Sequence, residues 1–181
     1  VLVYFEDHMK NKIILSLLLL FFIFCFVILY KGLNNSNIYV PEVKIEKTLT
    51  KFNSIDLYSE NKISSDQIFV DSEYYVLNIW ASWYVPCREE HPKLMKLSKN
   101  KSIKLIGLNY RDNPKNAKRF ISEFGDPYFM IIKDSKGIIS VDLGAIGVPE
   151  TFIINKDKKI IKRFLGSLSE KSLNEINLIT K

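Results

Sequence analysis

The chain has 181 residues, of which 47% are hydrophobic, 25% charged and 13% aromatic, enough for one domain with its own core and a short accessory segment. Seven Gly and six Pro exclude a collagenous or low-complexity chain, and two Cys exclude a small disulfide-stapled scaffold. The 26 Lys and Arg outnumber 20 acids for a net charge of +6, yet 22 of them are Lys dispersed among acids, without the clustering and interleaved aromatics of a nucleic-acid surface.

Ile13 to Tyr30 is an uncharged run of 18 residues, roughly 27 Å long as a helix at ~1.5 Å per residue, close to the hydrocarbon thickness of a bilayer. Lys10 and Lys12 precede it and only Lys31 follows closely, which favours an N-terminus in the cytoplasm and a C-terminal domain across the membrane. Tyr30 to Asn35 offers no small-x-small cleavage site and the run exceeds a usual signal-peptide core, so an uncleaved anchor is expected. Cys25, inside the run, reads as a small hydrophobe. The expected organisation is a short cytoplasmic N-terminus over 1–12, an anchor over 13–30, a polar tether over 31–46 and a folded domain over 47–181. Residues 1–8 precede Met9-Lys10-Asn11-Lys12, a more natural start.

Beyond the tether the elements alternate. Tyr75 to Trp80 is β-branched and aromatic and predicts a buried strand. Pro86 suits the first turn of a helix running from Cys87 to about Lys99. Ile103 to Asn109 predicts a second strand. Asp112 or Asn113 caps a helix that starts at Pro114 and stops at Gly125. Phe129 to Lys133 is a short strand, and Thr151 to Asn155 with Lys159 to Phe164 forms a hairpin about Lys156-Asp157-Lys158. Ser167-Leu168-Ser169-Glu170 has the capping-box pattern for a last helix ending near Thr180. The order βαβα then ββα implies an α/β fold, a mixed sheet with helices on both faces.

The strand ending at Trp80 runs into Ala81-Ser82-Trp83-Tyr84-Val85-Pro86-Cys87-Arg88-Glu89-Glu90, and a later stretch reads Gly144-Ala145-Ile146-Gly147-Val148-Pro149-Glu150-Thr151-Phe152. On these two motifs the sequence resembles the thioredoxin superfamily, and within it the DsbE/CcmG-type membrane-anchored thioredoxins of cytochrome c maturation, from about Lys47 to Lys181. The resemblance implies a thioredoxin-like fold and thiol-disulfide interchange with apocytochrome c. It further implies other cytochrome c maturation proteins as partners and reduction by a membrane electron carrier of the DsbD/CcdA type. No cofactor and no metal are expected, the dispersed charge speaks against a nucleic-acid partner, and the resemblance implies a place in the inner membrane with the domain in the periplasm.

By the same resemblance Pro149 is a cis-proline opposite the helix tip, and it presents the Val148 backbone to a bound chain as an added strand. Trp83 lies on the substrate-facing rim, and Pro92 interrupts the helix. Glu90 and Glu150 match acids that modulate the thiols, since a nearby carboxylate raises a thiol pKa. A helix N-terminus favours a thiolate, which is why a Cys-x-x-Cys pair stands at such a tip.

Here the pair is incomplete. Tyr84 stands where the attacking thiol belongs, and Cys87 holds the resolving position. A phenol forms no disulfide, and Cys25 in the anchor lies out of reach of a bond that needs Cα atoms within ~7 Å. Three readings follow: an interchange protein that has lost its attacking thiol (Cys and Tyr codons differ by one nucleotide), a redox-inactive binding module for apocytochrome or haem-handling partners, or a monothiol acting through Cys87. Simpler readings stand beside these. Trp80 and Trp83 fit core or rim aromatics, Glu90 a solvated first-turn acid, Glu150 a loop carboxylate, and His91 a packed or exposed histidine rather than a metal ligand.

Overall fold

A computed structural model describes residues 2–34 and 47–181. The chain divides into two units, Val1–Val40 and Pro41–Lys181. In the first, α1 (Leu2–Asn34) is one continuous helix. Within it Lys12–Gly32 is long and apolar enough to cross a membrane. Its apolar residues face every direction rather than one stripe, as in a helix made to be surrounded by hydrocarbon. The helix runs through Asn34, so the first four residues of the expected tether continue the helix, and residues 35–46 lie outside the described residues.

The second unit is built on a five-stranded sheet of order β5-β4-β3-β6-β7. Its strands are β3 (Tyr74–Trp80), β4 (Ile103–Tyr110), β5 (Met130–Asp134), β6 (Glu150–Asn155) and β7 (Ile160–Leu165). β3 pairs parallel with β4 and antiparallel with β6, β4 pairs parallel with β5, and β6 antiparallel with β7. The central strand β3 is buried on both faces, which is why its sequence is a continuous apolar run rather than an alternation. Val76 and Trp80 enter one core cluster and Tyr75, Leu77 and Ile79 the other, as the two-residue period of a strand requires.

The first cluster takes its helical partners from α3 (Val85–Leu97), α4 (Pro114–Phe124) and α6 (Glu170–Ile179); the second takes them from α2 (Ser65–Ile68) and α5 (Ile138–Leu143). The connections from β3 to β4 and from β4 to β5 join parallel neighbours, and their helices α3 and α4 pack into one core cluster. The expected mixed sheet with helices on both faces is what forms.

Details depart from the sequence expectation. α3 starts two residues before Cys87, at Val85. The Asn113 side chain accepts from Lys115 N and caps α4 as predicted, and Gly125 at φ 91° ends it. For α6 the cap is Ser169, boxed with Ser172, not Ser167 with Glu170. Glu170 instead pairs with Lys96 at 2.8 Å. The hairpin of β1 (Asn53–Ile55) and β2 (Lys62–Ser64), and the short α2 and α5, were not anticipated. The hairpin is too short to carry a period, and it is placed by tertiary contacts such as Ser54 Oγ donating to the Lys133 carbonyl at 2.7 Å.

Candidate functional site

β3 ends at Trp80 and the chain turns through residues 81–84 into α3. Tyr84 is the helix N-cap in extended conformation, and Pro86 occupies the second helical position, where a missing N–H costs nothing. The turn closes through Tyr84 N to the Ala81 carbonyl at 3.3 Å and Cys87 N to the Tyr84 carbonyl at 3.1 Å. From outside, Asp112 fixes the turn by accepting from Ser82 N at 2.6 Å and Ser82 Oγ at 2.9 Å. Trp83 and Tyr84 are exposed and meet edge to face with centroids 5.8 Å apart.

Cys87 is buried, with 2% of its surface exposed. Burial pushes its thiol up to about 12, and the charges of Glu90 and Asp112 add to the rise. The dipole of a helix N-terminus works the other way, and here desolvation wins. Both cysteines are free.

Glu90, one turn further along α3, is fully buried rather than solvated. Its Oε1 accepts from Asn78 Nδ2 at 2.8 Å and its Oε2 from Leu168 N at 2.7 Å. Asn78 also donates to Thr151 Oγ1 at 3.0 Å and accepts from Tyr128 Oη at 2.8 Å. Burial raises the Glu90 carboxyl to about 7 despite these donors, and burial likewise holds the Tyr128 phenol well above its usual range. Sequence reasoning missed Asn78, Thr151 and Tyr128. The available signal was Asn78 itself, a lone amide in an apolar strand, which has to find partners when buried.

Glu150 opens β6 opposite Ile79 of β3 and Leu165 of β7. Its Oε1 accepts from Ile146 N at 2.7 Å and Gly147 N at 2.9 Å, and its Oε2 accepts from Arg163 Nε at 2.9 Å and forms an ion pair with Arg163 Nη2 at 2.7 Å. Glu150 therefore pins the 146–150 loop to β7, while the acids whose charge bears on Cys87 are Glu90 and Asp112. The loop carries a cis Val148–Pro149 bond, and Val148 packs against the core cluster that contains Cys87. Arg163, absent from the sequence expectation, is the partner that makes a buried Glu150 tolerable.

His91 is buried with Nε2 2.9 Å from the Gly125 carbonyl oxygen and its ring edge-on to Phe120 at 5.0 Å. Burial lowers its pKa. Among the described residues no three His, Cys, Asp or Glu side chains are grouped to hold a metal. Trp80 is a core residue stacked on Tyr128 at 5.7 Å, so of the two tryptophans Trp83 alone belongs to the surface.

A helix tip at the C-terminal end of the central strand, beside a cis-proline loop entering the neighbouring antiparallel strand, defines a thioredoxin-like protein. The Redoxin family matches residues 41–177. The thioredoxin domain of a thiol-disulfide oxidoreductase from Bacteroides vulgatus superposes with a TM-score of 0.66 at 18% identity, over 77% of this chain and 100% of that one. The probable thiol:disulfide interchange protein DsbE-2 of Pasteurella multocida is 33% identical over 172 residues, 94% of this chain and 89% of its own. The thiol:disulfide interchange protein DsbE of Escherichia coli is 30% identical over 171 residues, 92% of each. The chain belongs to the Redoxin family, among thiol:disulfide interchange proteins of the DsbE type.

Proposed function

We propose that this chain is a membrane-anchored DsbE-type protein of cytochrome c maturation that receives a segment of apocytochrome c without cycling its own dithiol. α1 is the anchor, with its N-terminus in the cytoplasm and the thioredoxin-like unit in the periplasm; the charge asymmetry of Lys10 and Lys12 supports that orientation. The cleft around Trp83, Tyr84, Val148 and Pro149 takes the client in extended form, with the Val148 backbone pairing as a strand edge. Exposed Trp83 and Tyr84 supply rigid, amphipathic contact area at small entropic cost.

One observation carries this reading: the thiol left at the helix tip is buried, with its pKa near 12, and the residue one turn before it is a tyrosine. Catalytic interchange needs an accessible thiolate and a second sulfur to resolve the mixed disulfide. The helix tip offers neither, so a DsbD/CcdA-type carrier has no disulfide there to reduce. The burial of Cys87 also weighs against a monothiol mechanism.

The test is an insulin-disulfide reduction assay on the full chain in detergent, beside its Tyr84→Cys variant. The natural chain should be inactive and Tyr84→Cys active. Both run with dithiothreitol as the electron source, and acceleration by the natural chain over dithiothreitol alone overturns the reading. Binding is measured separately, by capture of an apocytochrome haem-attachment peptide, which Trp83→Ala should weaken.

A further inference from the structure

Beside the helix tip, on the side of Trp83 toward α4, lies a cavity of about 210 Å³. It is lined by Ser82 and Trp83 of the turn, Arg88 from the first turn of α3, and Asn116, Arg119, Phe120 and Glu123 of α4. The chain has four arginines among its 26 basic residues, and two of them stand here. Lysine serves general solvation equally well; arginine is distinguished by a planar fork of donors that matches a carboxylate.

Both guanidiniums have donor capacity to spare. Arg88 lies over the Phe124 ring at 5.2 Å, a cation–π contact that uses none of its N–H donors in a conventional hydrogen bond. Arg119 has only long contacts, 3.5 Å to Asn116 Oδ1 and 4.0 Å to Glu123. Ser82 is fixed in place by Asp112.

We infer that this cavity is a subsite for the carboxylate of an acidic side chain on the bound client segment, held between Arg88 and Arg119 against the Trp83 indole. The inference rests on the reading that the cleft at Trp83 receives an extended chain, because Trp83 is the wall the cleft and cavity share. The ligand follows from the client: a polypeptide carries its anions as Asp and Glu carboxylates, the planar partners that a guanidinium fork matches. On binding, the carboxylate takes over the Arg119 donors that Glu123 meets only at 4.0 Å. The subsite thus adds sequence preference to a groove whose strand-type pairing is blind to side chains.

The test uses the full chain in detergent and fluorescent apocytochrome haem-attachment peptides carrying a single Glu, or a single Gln, at successive positions flanking the cysteine pair. At one position the Glu peptide should bind about five-fold tighter than its Gln counterpart, the scale of charge-assisted contacts at a partly exposed site, and added salt should shrink the advantage. Arg88→Gln and Arg119→Gln should each reduce that advantage while leaving the Gln peptides unaffected, and Arg119→Glu should transfer the preference to a Lys peptide. If every Glu and Gln pair binds equally, or the advantage persists in both Gln variants, the subsite is refuted and the groove reading stands. If no peptide binds at all, the groove reading falls and the subsite with it.

Discussion

Asn78 Nδ2 donates to Glu90 Oε1 at 2.8 Å, joining the centre of the sheet to the helix that carries the thiol. Because the carboxylate is buried, its pKa rises from an ordinary value near 4.5 to about 7. The folded chain therefore keeps a proton that the unfolded chain releases. The associated stability is fully present below about pH 4.5 and is lost as pH climbs through 7. Urea unfolding should weaken by on the order of 3 kcal/mol over that interval relative to Glu90→Gln, whose profile lacks this component. Parallel profiles for the two proteins contradict the assignment.

Cys87 should be inert in the folded chain. A rise from 9.0 to about 12 cuts the thiolate fraction at neutral pH on the order of a thousand-fold, and burial blocks the reagent besides. Iodoacetamide at pH 7.5 should label Cys87 only after denaturation, with mass mapping to separate it from Cys25. Prompt labelling of the native chain would falsify the burial argument and revive a monothiol.

Removing Glu150 takes the buried ion pair from the Arg163 guanidinium and leaves the Ile146 and Gly147 amides short of an acceptor. Glu150→Ala should cost about 3 kcal/mol, the scale of breaking a buried pair from one side. Hydrogen exchange at the Ile146 and Gly147 amides should accelerate more than exchange in β4. In a double-mutant cycle with Arg163→Ala the losses should be strongly non-additive; simple additivity means the two side chains act separately.

Gly107 faces Asn78 across the β3–β4 pair, and a Cβ there meets Trp80 Nε1 at 2.8 Å and the Tyr128 ring at 3.1 Å. Gly107→Ala should cost about 1–3 kcal/mol through overpacking and disturb the stacked Trp80–Tyr128 pair, read out by near-ultraviolet circular dichroism. An unchanged spectrum with unchanged stability means the stack yields freely.

The elements legible in the sequence were those whose signals are local. The Asn113 cap, Pro114 and the Gly125 stop bracket α4 on their own, and β3 declares itself by the β-branched and aromatic run from Tyr75 to Trp80, all of it buried. The helix-tip and proline-loop motifs were equally visible because each is a short contiguous string. What stayed hidden is non-local. Glu150 reads as a loop acid until β7 brings Arg163 beside it, and Glu90 reads as a surface acid until Leu168, 78 positions along the chain, donates to it. Ser169 displaces Ser167 as the cap of α6 because the preceding Leu168 is drawn into the core, its amide spent on Glu90. α5 is six residues bounded by Gly137 and Gly144, too brief for a helical period to register.

The antiparallel seating of Glu150 opposite Ile79 sets a timetable for the nascent polypeptide. The helix tip emerges early in synthesis, but the proline loop that completes the cleft follows some sixty residues later and finds its place only when β6 slots beside β3. Until then there is half a receptacle, and its carboxylate still awaits the Leu168 amide from close to the C-terminus. A chain that ends before β6 has a tip with no proline loop across from it.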